Sequence, residues 1–248
     1  MWILRMNMTD RSYRVEETPE AYRNLGGRGL TSTIVHDEVP PTCHALGPAN
    51  KLIFAPGIVT GADAPSSARV SVGGKSPLTG GIKESNAGAA WAPALADMQI
   101  KALIVEGQPE SKSQFWMAHV TWDRDAKRPA VQFLPADEFV GENLYNTFPK
   151  LEKRFGAKAH IAGIGVAGEN RYSNSGVVFD DLKGRPSRYS GRGGLGAVMG
   201  SKGLKFIIVD DQGAPGVEVK DKALFAQGQR KLADALRTHA VTKPKGSL

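Results

Sequence analysis

Apolar and polar positions alternate from Ile3 to Met8 and from Ser12 to Glu16, with Thr9-Asp10-Arg11 between them, which predicts an antiparallel hairpin. Pro19 to Arg23 predicts a short helix ending at Gly26-Gly27. A second helix is predicted from Leu30 to Glu38, stopped by Pro40-Pro41. Lys51 to Ala55, apolar from Leu52 onward, is a strand of the buried type, closed by Pro56-Gly57, and Arg69 to Val72 is the next strand. Phe115 to Trp122 and Pro129 to Leu134 read as a second hairpin across Asp123-Arg124-Asp125. Glu142 to Phe155 has the spacing of an amphipathic helix, and Ala159 to Val166 returns to strand.

The pattern repeats. Ile53-Phe54-Ala55-Pro56-Gly57-Ile58-Val59-Thr60-Gly61 parallels Ile161-Ala162-Gly163-Ile164-Gly165-Val166-Ala167-Gly168, and Arg69 to Val72 parallels Gly176 to Phe179. Each copy continues through a loop of small residues and a short helix to a closing strand, Lys101 to Glu106 or Lys205 to Asp210. Repeats over about 51–107 and 159–210 predict an α+β fold of duplicated sheet-and-helix halves related by a local two-fold, with residues 1–211 as one domain. Beyond Asp211 the composition changes. Gln212 to Gly216 is a linker, and Asp221 is the N-cap of a helix with apolar positions at Leu224, Phe225, Leu232 and Leu236. That helix has little in the chain to pack on. Residues 212–248, ending Lys243-Pro244-Lys245-Gly246-Ser247-Leu248, are therefore expected to be a linker and the first element of a helical domain, as in a truncated chain.

A chain of 248 residues buries enough surface to fold without covalent staples. The net charge of +7 is spread along the sequence, and the few aromatics do not interleave with basic residues, so nucleic acid is not an expected partner. Cys43 is the only cysteine, which excludes a disulfide framework and a cluster held by four thiolates of this chain, and suits a reducing compartment. No apolar run reaches the ~20 residues of a membrane span, and the N-terminus lacks the features of a signal peptide, so a cytoplasmic location is expected.

Candidate chemistry lies in the two small-residue segments, Ser85-Asn86-Ala87-Gly88-Ala89-Ala90 and Ser190-Gly191-Arg192-Gly193-Gly194-Leu195-Gly196. A loop of small residues entering a helix exposes N–H groups that hold phosphate, and two such loops suit a ligand with two phosphate-bearing arms or an ion held between them. Lys75, Ser76, Thr79, Asn86 and the upstream Arg69 add phosphate-pairing and hard-cation-ligating groups. Each also has an ordinary role open to it: Asn86 as a helix N-cap, Arg69 as a surface ion-pair residue, the glycines as turns. Gly191 to Gly196 also satisfies G-x-G-x-x-G with Asp210 and Asp211 about 20 residues on, but a polar stretch from Asp180 to Ser190 precedes it where a dinucleotide site requires a strand. The five histidines have no metal-ligand spacing.

Ser76-Pro77-Leu78-Thr79-Gly80, Asn86-Ala87-Gly88 and Gly193-Gly194-Leu195-Gly196-Ala197-Val198-Met199-Gly200-Ser201-Lys202 closely resemble the N-terminal domain of the aldehyde:ferredoxin oxidoreductase family. Gly26-Gly27-Arg28-Gly29-Leu30, Asn50-Lys51-Leu52 and Ile104-Val105-Glu106-Gly107 extend the resemblance over about Met1 to Asp211. It implies two α+β halves about a pseudo-two-fold and a tungsten or molybdenum bis-pterin cofactor whose phosphates are bridged by Mg²⁺. By that similarity the Asn86 side chain and the Gly193 carbonyl ligate the Mg²⁺, and Arg69, Ala87, Gly88 and Arg192 contact the pterin–phosphate arms. The implied reaction oxidises an aldehyde to a carboxylate and passes electrons through a 4Fe–4S cluster to a ferredoxin-type acceptor. The cluster cysteines belong to later helical domains of complete members. This chain alone is therefore expected to be inactive, with a cysteine-rich helical domain or subunit as its partner. A non-catalytic scaffold docking such a subunit, and a nucleotide-binding protein using the Gly191 loop, are the alternatives.

Overall fold

The computed structural model describes residues 1–242. Twelve strands form two six-stranded mixed sheets. The first contains β1 (Trp2–Asn7), β2 (Ser12–Glu17), β3 (Leu52–Pro56), β4 (Arg69–Lys75), β5 (Ile82–Gly88) and β6 (Ile100–Glu106), in the order β2-β1-β6-β3-β4-β5. The second contains β7 (Trp116–Asp123), β8 (Arg128–Pro135), β9 (His160–Gly163), β10 (Val177–Asp180), β11 (Pro186–Ser190) and β12 (Leu204–Asp210), in the order β11-β10-β9-β12-β7-β8. In each sheet the closing strand, β6 or β12, runs parallel to the first strand of the opening hairpin and antiparallel to the third strand.

Six helices accompany the sheets among the described residues: α1 (Gly27–Glu38), α2 (Trp91–Asp97), α3 (Leu144–Phe155), α4 (Val166–Glu169), α5 (Leu195–Ser201) and α6 (Lys222–Thr238). Alternation along the pleat explains the apolar run at 51–55. Ile53 and Ala55 pack with Ile3, Ala102 and Ile104 beneath Leu30, Ile34 and Val35 of α1, whereas Leu52 and Phe54 belong to the main core. Covered on both faces, the strand has no polar position to offer. The main core holds residues from both sheets, and α2 and α5 each contact both. At its centre Trp91 lies 5.3 Å from Phe54 and 5.4 Å from Phe179, ring centre to ring centre, and its indole N–H donates to the Ile207 carbonyl at 3.3 Å. Each such fully buried side chain contributes roughly 1.5–3 kcal/mol, so α2 of one half is anchored in the other.

Several sequence expectations need correction. Ser85 to Gly88 is not a loop: it is the second half of β5, paired with β4 so that Asn86 lies opposite Ser71 and Gly88 opposite Arg69. Ser, Asn and Gly read as turn residues, but here the pairing with β4 overrides their local preference. Asn86 is accordingly not a helix cap, because α2 follows Ala90 and has no side-chain cap. The polar stretch before Gly191 contains β11, an edge strand with three exposed residues. α1 starts at Gly27 rather than Leu30, and Val166 opens α4 instead of extending a strand. Asp221 caps α6 as expected, accepting from the Leu224 N–H at 2.8 Å, and no residue of α6 is buried. The tail from Lys243 to Leu248 lies outside the described residues.

Candidate functional site

β5 and β11 each lie at one edge of their sheet, and the chain after β11 crosses beside β5. Ser85 joins them: its hydroxyl accepts from the Arg192 N–H at 3.2 Å, and its carbonyl accepts from the Ser190 hydroxyl at 3.3 Å. The turn after β4 completes the junction, because the buried Ser76 hydroxyl donates to the Gly193 carbonyl at 2.6 Å. That hydroxyl also accepts from the N–H groups of Leu78 and Thr79, both at 3.1 Å, which fixes the turn. Gly193 and Gly194 take φ values of +85° and +71°, and a Cβ on Gly194 would overlap the Ser173 carbonyl. Only glycine serves there.

Asn86 lies one residue along β5 from Ser85, on the opposite face. Its amide donates to the Val70 carbonyl at 3.1 Å and the Ser71 hydroxyl at 3.2 Å, and its oxygen accepts from Arg69 Nε. The polar strip continues through Ser71 to Glu84 (2.6 Å) and from Glu84 to Arg28 at the start of α1 (3.0 Å). α1 has no side-chain cap, so its first N–H groups open beside this strip. A Cβ at Gly27 would stand 3.4 Å from Ser71 Oγ, and one at Gly88 3.4 Å from an Arg69 guanidinium nitrogen.

Of the predicted site residues, Arg69, Asn86 and Gly88 thus form one cluster, while Arg192 and Gly193 form a second that touches β5 through Ser85 and the turn after β4 through Ser76. Ala87 is buried and faces the core with Val70. A ligand reaching both clusters has to straddle the β5 edge. The groups at hand suit phosphates and a hard cation: exposed guanidinium groups at Arg69 and Arg192, the half-buried Asn86 amide oxygen and the carbonyl of the buried Gly193, the two oxygens each accepting one protein hydrogen bond and keeping a second lone pair.

Arg69 and Gly88 also line a cleft of about 720 Å³ between the halves, whose far wall carries His160, Asp181, Arg188 and Asp211. Burial alone would lower the His160 pKa, but the Asp180 carboxylate 2.8 Å away outweighs it and raises it. Burial, reinforced by Asp211, pushes the Asp97 carboxyl up to about 6. Sequence reasoning missed this wall because its members are scattered singly along the chain; a His160–Asp180 pairing, 20 residues apart, leaves no spacing signature.

The aldehyde ferredoxin oxidoreductase N-terminal domain model matches residues 3–211. The chain belongs to this family. It is 36% identical over 241 residues to the tungsten-containing aldehyde ferredoxin oxidoreductase of Thermococcus kodakarensis, covering 96% of this chain and 37% of the relative, and 35% identical over 241 residues to that of Pyrococcus furiosus, with the same coverage. An aliphatic sulfonate oxidoreductase, WOR-like subunit, of Pyrococcus furiosus is 29% identical over 204 residues, covering 79% of this chain and 31% of the relative. Among solved structures, the active site complex BamBC of benzoyl coenzyme A reductase, in complex with 1,5-dienoyl-CoA, superposes with a TM-score of 0.85 at 27% identity, over 100% of this chain and 36% of that one. The chain therefore spans about a third of the length of its relatives. No helix among the described residues is long and apolar enough to cross a membrane.

Proposed function

We propose that this chain is the cofactor-cradling N-terminal domain of a tungsten or molybdenum bis-pterin oxidoreductase, acting on aldehydes in a complete enzyme. The observation that carries the reading is the convergence of two separate segments, Arg69/Asn86/Gly88 and Arg192/Gly193, at the β5 edge. Arg69 and Arg192 pair with the phosphates of the two pterin arms, and Gly88 lets an arm approach the backbone. The Asn86 amide oxygen and the Gly193 carbonyl would be the neutral ligands offered to Mg²⁺, which suits a site rich in phosphate because further carboxylates would repel it. When bound, the metal centre supplies the two-electron oxidation of aldehyde and water to carboxylate. This chain's residues bind and orient the cofactor and neutralise its charge. With a single cysteine, the chain does not itself hold the 4Fe–4S cluster that passes electrons to a ferredoxin-type acceptor. Without those cysteines, it does not oxidise aldehydes alone.

The matching strand orders of the two sheets support reading residues 1–211 as duplicated halves about a pseudo-two-fold, with 212–248 leading into a helical domain. A reducing, cytoplasmic setting fits the lone thiol. A second reading, a scaffold module docking a separate cluster-bearing subunit, draws on the description of one relative as a subunit and another as a complex. Production in a host that makes the cofactor, followed by elemental analysis of wild type and Asn86→Ala, tests the assignment. Tungsten or molybdenum and Mg²⁺ should fall severalfold in the variant; equal content in both proteins rejects these ligand roles.

A further inference from the structure

α5, which carries the Gly193 loop at its start, is pinned to the first half at both ends. At the N-terminal end the pin is the Ser76 hydroxyl on the Gly193 carbonyl. At the C-terminal end it is Lys202, a residue with no solvent exposure, whose ammonium donates to the carbonyls of Gly47 (3.1 Å), Pro48 (3.3 Å) and Asn50. Asn50 is itself fully buried and uses its whole side chain. Its amide donates to the carbonyls of Ala45 (2.6 Å) and Lys75 (2.9 Å), and its oxygen accepts from the N–H groups of Lys51 (2.8 Å) and Lys75 (3.0 Å). Lys75 precedes Ser76, so the path returns to Gly193. The result is a closed circuit: Gly193, α5, Lys202, the 47–50 turn, Asn50, Lys75, Ser76 and Gly193 again.

Two physical points separate this circuit from ordinary packing. Burying an ammonium is costly unless it is fully hydrogen-bonded, and a Met or Leu of similar volume would fill the space without that cost. The side of α5 that faces α4 is also smooth: a Cβ on Gly196 or Gly200 would overlap the main chain at Gly176 or Gly168. Close backbone contact there supplies no interlocking side chain; Leu195, Val198 and Met199 seat the other side of the helix in the core, and the polar pins add directional contacts at its two ends.

We infer that Lys202 is a positioning residue for the Gly193 loop, setting the axial place of α5 and hence where Arg192 and the Gly193 carbonyl stand against β5. The inference builds on the reading of that loop as a cofactor contact, but its test does not need cofactor. Native-state amide hydrogen exchange of the full chain would compare wild type with Lys202→Ala. Exchange should quicken at least tenfold in both 191–196 and 76–81, with α1 unchanged, and added ethylammonium, filling the vacated cradle, should restore protection where 1-propanol does not. Faster exchange confined to 47–51, or equal rescue by the alcohol, overturns the inference. If Lys202→Ala does not fold, Lys202→Arg keeps the charge but displaces it: faster exchange at 191–196 in a folded variant supports the pin, and wild-type exchange there overturns it. Loss of metal from Asn86→Ala is read separately, so the two assignments can fail independently.

Discussion

Ser76→Ala isolates the junction between the halves with little change in volume. The hydroxyl makes three hydrogen bonds, one given to the Gly193 carbonyl at 2.6 Å and two taken from Leu78 and Thr79 at 3.1 Å. Leu78 and Thr79 are exposed, so their N–H groups turn to water at little cost. Gly193 is buried, and its carbonyl is left without that donor, which costs about 1–3 kcal/mol. With the net value of the other two bonds, the expected loss is about 2–3 kcal/mol. For a chain of this size, each kcal/mol lowers Tm by roughly 2–4 °C, so the variant should melt roughly 4–12 °C below wild type. Urea unfolding followed by circular dichroism should show a lower midpoint at an unchanged slope. Thr79→Ala, in the same turn but exposed, serves as the control and should stay within about 0.5 kcal/mol. A Ser76→Ala variant no less stable than that control would refute the claim that this hydroxyl joins the halves.

Three further outcomes follow from the same reasoning. Asp97 titrates at about 6 when folded, above its ordinary 3.8, so its contribution is fully present at low pH and is lost as pH rises from about 4 to 6. Asp97→Asn should therefore stabilise the protein at pH 7.5 by about 1 kcal/mol, after solvent screening of a ceiling near 3, and by nothing at pH 4; equal midpoint shifts at both pH values would reject this. Burial opposes ionisation of Glu38, but Arg5, with both contacts at 2.7 Å, and Lys51 at 2.6 Å hold it down to about 2. Its stabilisation is present above 4.5 and disappears as pH falls towards 2, so Glu38→Gln should cost about 2–4 kcal/mol at pH 7 and flatten the acid-unfolding curve, as followed by fluorescence. Gly194→Ala, at φ +71° against the Ser173 carbonyl, should cost more than about 2 kcal/mol, whereas Gly228→Ala in α6, with open space around it, should gain about 0.5–1 kcal/mol of helix propensity; paired thermal melts compare them.

Elements whose signal is local were legible in the sequence. Both hairpins, the strand from Leu52, the amphipathic α3 and the Asp221 cap of α6 each follow from periodicity or capping within a dozen residues. What was misread depends on pairing at a distance. Ser85 to Gly88 carries no strand signal of its own and is extended because β4 lies beside it; Pro186 to Ser190 is extended because Val177 to Asp180 does. Lys202 shows the same limit for the site. A lysine at the end of a short helix reads as a solvated cap, and only its three carbonyl partners, more than 150 residues earlier in the chain, reveal a buried cation.

The misreadings cluster where the proposed site lies, and that has a physical basis. An edge strand needs polar, small or twisted sequence to avoid pairing with another chain, and such sequence is what a strand predictor rejects. Here two of the four sheet edges, β5 and β11, meet without forming a ladder: Ser85 bonds to Ser190 and Arg192 through side chains, leaving neighbouring main-chain and amide oxygens beside exposed guanidinium groups. A polar ligand can use these edge groups without breaking a sheet. Removing one of the two bonds across this junction should disturb the proposed site. A Ser85→Val substitution adds strand propensity to β5 but removes the acceptor for the Arg192 N–H, so stability should change by less than about 1 kcal/mol while metal retention falls. Unaltered retention would place the ligand elsewhere on the molecule.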